Sequence, residues 1–182
     1  MILAEFTGLV TVVVLATIQG RVGRAGSFWM ILFALPSTLL HELAHYLVAL
    51  VTGGRPSRFS VFPRSTIYQH PDGRTQKLWV LGSVQSQMGL FSAFPTAVAP
   101  LLYIPAAFFL FQNWYAWYPS TLGSVMSLYG ISYLFLTSSI PSSADWRIVT
   151  TYPGSALLYG GLVCVGYIAR PAILSFLGFA VG

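Results

Sequence analysis

The sequence predicts an all-α polytopic membrane protein with about five transmembrane helices and a short β-hairpin loop between spans two and three. Three observations carry that expectation. The chain of 182 residues is 55% hydrophobic and 7% charged, against about 25% charged residues in soluble domains. Its mean hydropathy is +0.72. Apolar runs near the roughly 20-residue length that crosses a bilayer recur along it, with one long polar interruption at 52–87. At this length the chain, 1–182, reads as a single domain.

The first run, 1–19, has no basic n-region and no small-residue cleavage pattern, so a retained first span is expected rather than a signal peptide. Glu5 marks its interfacial start, and Arg21 and Arg24 close it. Span two covers 27–51, and Thr52-Gly53-Gly54 stops it. In the polar stretch, Arg58-Phe59-Ser60-Val61-Phe62 and Lys77-Leu78-Trp79-Val80-Leu81 read as strands, with Pro71-Asp72-Gly73 as the turn between them.

Span three, 88–111, contains Pro95, Pro100 and Pro105. Three prolines imply a broken helix whose freed carbonyls need cover from protein or a polar cavity. The segment 112–119 reads as an aromatic belt on a short turn, with Trp79, Trp114 and Trp117 as interfacial anchors. Span four, 121–140, ends in Pro141-Ser142-Ser143-Ala144-Asp145-Trp146-Arg147. Span five begins near Ser155, and Arg170-Pro171 is expected to interrupt it.

Nine Lys and Arg against four acids leave a net charge of +5, and five of the nine lie between Arg55 and Lys77. That cluster points to a cytoplasmic loop facing anionic head groups of the lipid bilayer, not to nucleic acid. Arg147 agrees with this orientation, whereas Arg21 and Arg24 oppose it. The single Cys164 leaves no internal disulfide to form and reads as a small lipid- or core-facing residue.

Span two carries the chemistry. Between Phe28 and Val51 the only formal charge is Glu42, within His41-Glu42-Leu43-Ala44-His45. Helical geometry puts His41 and His45 one turn apart on one face, the spacing that lets two imidazoles hold one Zn2+ ion. Glu42 beside them is placed to take a proton from water. Ionisable groups in an apolar span are costly, so their presence points to function.

The search for a third ligand is short, because the only other acids are Glu5, Asp72 and Asp145. Glu5 lies near the start of the chain. Asp72 occupies a turn, with His70 beside it as a further candidate. Spans two and four run in the same direction, and the motif and Asp145 both lie toward their C-terminal ends. Asp145 is therefore the preferred third ligand, ahead of Asp72 and His70, with the fourth position left to water.

These residues resemble the site-2 proteases, intramembrane zinc metalloproteases. The likeness rests on His-Glu-Leu-Ala-His in a span, the polar β-rich loop after it, a proline-bearing third span and Asp145 in Ile-Pro-Ser-Ser-Ala-Asp-Trp. It covers the core, 27–150. By that resemblance His41, His45 and Asp145 are metal ligands and Glu42 is the catalytic residue. Two departures stand out: Asp145 precedes Trp146 rather than glycine, and the third-span element reduces to Ala99-Pro100-Leu101-Leu102 without its asparagine.

The resemblance implies a zinc-dependent endopeptidase of the bacterial inner membrane, cutting membrane-embedded or membrane-proximal protein substrates. An edge strand of the 58–81 loop would capture the unwound peptide by strand addition. A structural zinc site is disfavoured, since such sites are usually closed by four protein ligands, often thiolates, and the chain has one cysteine. The alternative is a non-catalytic membrane protein that binds transmembrane segments or serves as a subunit of a larger assembly.

Overall fold

The computed structural model describes residues 2–22, 27–62, 64–69 and 75–176. The chain is mostly helical with a small β segment. Helices α1 (Ile2–Val22) and α2 (Ser27–Val51) come first, and α2 continues through Pro36. Strands β1 (Pro56–Ser60), β2 (Arg64–Gln69), β3 (Thr75–Val80) and β4 (Ser83–Ser86) follow. The third helical segment is broken: α3 (Ala93–Val98) passes through a 3-10 turn (Ala99–Leu102) into α4 (Tyr103–Trp117). Then come α5 (Leu122–Ser138), α6 (Ser143–Thr151) and α7 (Pro153–Phe176).

Among the described residues, three helical segments are long and apolar enough to cross a membrane: Glu5–Val22, Phe28–Val51 and Ala93–Trp117. The α6–α7 pair adds a fourth if its 86° bend lies within one span, and α5 is apolar but shorter. The five expected spans thus resolve into three long helices, a shorter one and a bent pair. Helix α5 is short because Pro141 cannot donate a hydrogen bond and disfavours helical backbone at Ile140. Helix α7 runs through Arg170-Pro171 without the expected interruption, since one missing donor weakens a helix without ending it.

The β segment differs from a single hairpin of 58–62 on 77–81. Strands β1 and β4 form one antiparallel pair, with Phe59 opposite Val84 and Ser60 opposite Ser83. Strands β2 and β3 form a second pair nested between them, with Arg64 opposite Val80 and Gln69 opposite Thr75. β2 is mostly polar, so periodicity marks it poorly. The expected turn Pro71-Asp72-Gly73 and the alternative ligands His70 and Asp72 lie outside the described residues.

Packing puts small side chains inside and large ones outside. Ala44, Ala49, Ala93, Ala97, Ala99 and Ala107 are buried together with Val125 and Leu128. Phe28, Val51, Leu157 and Ile168 are among the large apolar side chains that face outward. Small residues let helix backbones approach closely, as interhelical contacts in an apolar medium require. Helix α5 packs against α1, α2 and α4, while α2 also packs against α3 and the β1 and β4 strands.

Two expectations about single residues resolve here. Trp114 is not an interfacial anchor: it is buried, and its Nε1–H donates to Ser124 Oγ at 2.7 Å, tying α4 to α5. The belt segment is the last turn of α4 rather than a loop, so its residues spread around a helix and one faces inward. Trp117 is exposed as expected, and Cys164 is free and exposed on α7.

The ring of Tyr129 on α5 lies directly against Gly8 on α1, where any Cβ would collide with it. Gly8→Val is therefore expected to destabilise the protein by about 1–3 kcal/mol through overpacking. Gly123 has nothing within 4 Å of its Cβ position, so Gly123→Ala should change stability by no more than about 1 kcal/mol, in the stabilising direction. Thermal unfolding in detergent compares the two.

Candidate metal centre

His41 and His45 project from the C-terminal half of α2, and Asp145 reaches them from the first turn of α6. The ligand atoms of all three lie within 4.8 Å of one another. His45 Nε2 stands 3.1 Å from Asp145 Oδ1, and His41 Nε2 stands 3.4 Å from Asp145 Oδ2. The two Nε2 atoms approach to 3.0 Å. His45 and Asp145 are each 6% exposed. The expected pairing of span two with the end of span four is thus realised, and Glu5 is not part of the cluster.

Each imidazole is fixed through its other nitrogen. His45 Nδ1 is 2.7 Å from the Thr96 carbonyl on α3, and His41 Nδ1 is 3.0 Å from the Ser138 carbonyl at the end of α5. A carbonyl only accepts, so the network assigns the ring proton to Nδ1 and leaves the Nε2 lone pair free. Tyr103 adds a third tie to α2 by donating to the Leu40 carbonyl at 2.7 Å.

Asp145 is held by a capping box. Its backbone N–H donates to Ser142 Oγ at 3.2 Å, and its Oδ2 accepts the Ser142 N–H at 2.6 Å. The carboxylate therefore sits at a helix N-terminus, where the macrodipole favours negative charge. The Ser142 N–H and the helix terminus both favour the ionised carboxylate over its protonated form. With Oδ2 engaged by Ser142, Oδ1 is the oxygen free to serve as a ligand.

Two lone pairs and a carboxylate facing one another at 3.0–3.4 Å repel unless a cation lies among them. Zinc holds nitrogen and oxygen ligands at about 2.0–2.2 Å, so tetrahedral geometry sets neighbouring donors roughly 3.3–3.6 Å apart. The observed separations fall within a few tenths of an ångström of that range. The donor set, its fixed tautomers and its ionised carboxylate fit a metal ion with three protein ligands.

Glu42 occupies the next position along α2 from His41 and lines one cavity with Val84 on β4. Gly82 lets the β3–β4 connection come this close: a Cβ there would stand 2.7 Å from both Glu42 Cγ and Thr38 Cγ2. Beside the cluster lies a cavity of about 590 Å³ between α2, the 81–86 segment and the α5–α6 turn. His41, Glu42, His45 and Asp145 all line it.

Sequence reasoning locates the four charged or ligating side chains but not the groups that hold them. Of those, only Ser142-x-x-Asp145 carries a readable signal, the spacing of a helix-start capping box. The Thr96 and Ser138 carbonyls are backbone atoms with no residue signature.

Full-length protein titrated with zinc is expected to bind about one ion per chain. His41→Ala and His45→Ala should each abolish high-affinity binding, and Asp145→Asn should weaken it strongly. Full occupancy in either histidine variant, measured by metal analysis after dialysis, contradicts the centre. No protein-family model, curated protein or solved structure matches this chain, so the arrangement of the site itself carries the functional reading.

Proposed function

We propose that this chain is an integral membrane, zinc-dependent endopeptidase of the site-2 protease type. On this reading it resides in a bacterial inner membrane and hydrolyses peptide bonds of membrane-embedded or membrane-proximal substrates. One observation carries the proposal: the ligand atoms of part-buried His41 and of buried His45 and Asp145 converge beside Glu42 at one cavity, and Glu42 is the only formal charge from Phe28 to Val51. A ligating triad with an adjacent carboxylate that is not itself a ligand is the layout of metal-assisted hydrolysis.

Bound zinc supplies Lewis acidity, polarising the scissile carbonyl and making water nucleophilic near neutral pH. His41, His45 and Asp145 hold the ion and leave its remaining position open. Glu42 takes a proton from the attacking water as the new C–O bond forms, then delivers it to the leaving amine as the C–N bond breaks. Strand β4 pairs only with β1 among the described residues, and its Ser83, Val84 and Ser86 line the cavity. An extended peptide therefore has a strand edge beside the site, just past the 58–81 segment expected to supply one.

Glu42→Gln is expected to abolish cleavage of a membrane-protein substrate, a loss of at least about 10²-fold. Zinc content should stay near one per chain in the same preparation. Wild-type cleavage by this variant would remove Glu42 from the mechanism. A chain that binds transmembrane segments without cutting them, the non-catalytic alternative, should show equal binding and no cleavage for both proteins.

The membrane placement has its own test. The β1 end of α2 and the start of α6 both adjoin the metal centre, while the α4–α5 turn lies at the end of α5 opposite Ser138, whose carbonyl meets His41. In a Cys164→Ser background, Ser57→Cys and Ser143→Cys should react with an impermeant thiol reagent from the cytoplasmic side. Ser120→Cys should react from the opposite side. Labelling of Ser57 and Ser143 from opposite faces contradicts this topology.

A further inference from the structure

We propose that Pro100 and Pro141 are positioning residues of the metal centre: each withholds an N–H from the backbone oxygen that orients one of its histidines. The inference rests on the metal centre described above. It concerns why two helix carbonyls, normally occupied by their own helices, are free to hold imidazoles.

In a regular α-helix the Thr96 carbonyl would accept the N–H of residue 100. Residue 100 is proline and has none. The oxygen accepts instead from the Ala99 N–H, one residue short of the α-helical ring, and the helix tightens into the 3-10 turn Ala99–Leu102. Its remaining lone pair meets His45 Nδ1 at 2.7 Å.

The Ser138 carbonyl is treated in a parallel way on a different element. It closes α5, where the last carbonyls lack helical partners. In helical register the donors to this oxygen would be the N–H groups of positions 141 and 142. Residue 141 is proline, and the Ser142 N–H is committed to Asp145 Oδ2 at 2.6 Å. His41 Nδ1 takes the oxygen at 3.0 Å.

Both imidazoles thus rest on carbonyls from which a proline has removed a competing donor. A third case outside the centre shows the same logic: Pro95 cannot donate to the Phe91 carbonyl, which accepts from Tyr159 OH at 2.8 Å. A proline placed only to bend a helix has no reason to fall at these two offsets from these two oxygens. Restoring an N–H at either position would let it compete with the histidine, loosen the ring and free its tautomer.

The test compares Pro100→Ala and Pro141→Ala with Pro105→Ala, which lies in the same broken helix but frees a carbonyl that no histidine uses. Full-length protein in detergent is titrated with zinc against a competing chelator, and helix content and apo-protein melting are recorded alongside. Zinc affinity is expected to fall about 10–100-fold in Pro100→Ala and in Pro141→Ala, and less than about threefold in Pro105→Ala. Cobalt-loaded samples should show altered ligand-field bands in the first two variants only. Pro141 lies between helices, so it carries the test where Pro100→Ala does not fold. Wild-type affinity in folded Pro141→Ala, or equal losses in all three variants, overturns the inference. Wild-type protein that binds no zinc overturns instead the metal centre on which it rests.

Discussion

Each imidazole of the centre must donate a hydrogen bond through Nδ1–H while keeping its Nε2 lone pair, and much of the surrounding fold follows from that requirement. A donor nitrogen buried without an acceptor costs about 1–3 kcal/mol, so both rings need oxygens at fixed places. Those oxygens come from α3 and from the end of α5, two elements that share no sequence neighbourhood with α2. Meeting both demands brings α3 and α5 against the same stretch of α2. It also sets where α5 stops, because the oxygen serving His41 belongs to the last residue of that helix.

Close approach of those helices depends on small side chains. Ala44 and Ala49 on α2, Ala93 and Ala97 on α3, and Ala99 just beyond them are buried where larger residues would hold backbones apart. The bulky apolar side chains are displaced to the outside instead. In water that distribution would be unfavourable. In lipid it is the expected one, since association there relies on packing and hydrogen bonds between helices. The composition that marks the chain as membrane-like and the alanine-lined interior that shapes the site are therefore two sides of one constraint.

The parts of the site that follow from spacing alone are legible in the sequence. His41 and His45 share a helix face because they are four residues apart, and Asp145 reaches them because spans two and four run in the same direction. What escapes is whatever depends on atoms common to every residue. The carbonyls of Thr96 and Ser138 can be recognised only once the chain has folded. The β segment illustrates a second limit: β2 is mostly polar, so the nested pairing with β3 left little periodic trace, while the flanking turn signal was plain. Trp114 illustrates a third. An aromatic near the end of an apolar helix reads as an interfacial anchor, and only the rotation of α4 decides that it faces Ser124 instead.

Glu42 presents the opposite problem to the histidines. As a carboxylate on an apolar helix it needs donors, yet it cannot be paired so firmly that it loses its capacity to exchange a proton. The backbone of the 81–86 segment comes up beside it without adding a competing charge. A Cβ at Gly82 would stand 2.7 Å from Glu42 Cγ, so a residue with no side chain suits the approach. The β segment is therefore more than a loop between helices, because it completes the site. In the proposed hydrolase, β4 lies beside the proton-transferring carboxylate and lines the space where an extended peptide would lie. Peptide capture and proton transfer would then meet at one four-residue strand, without any motion of the metal ligands.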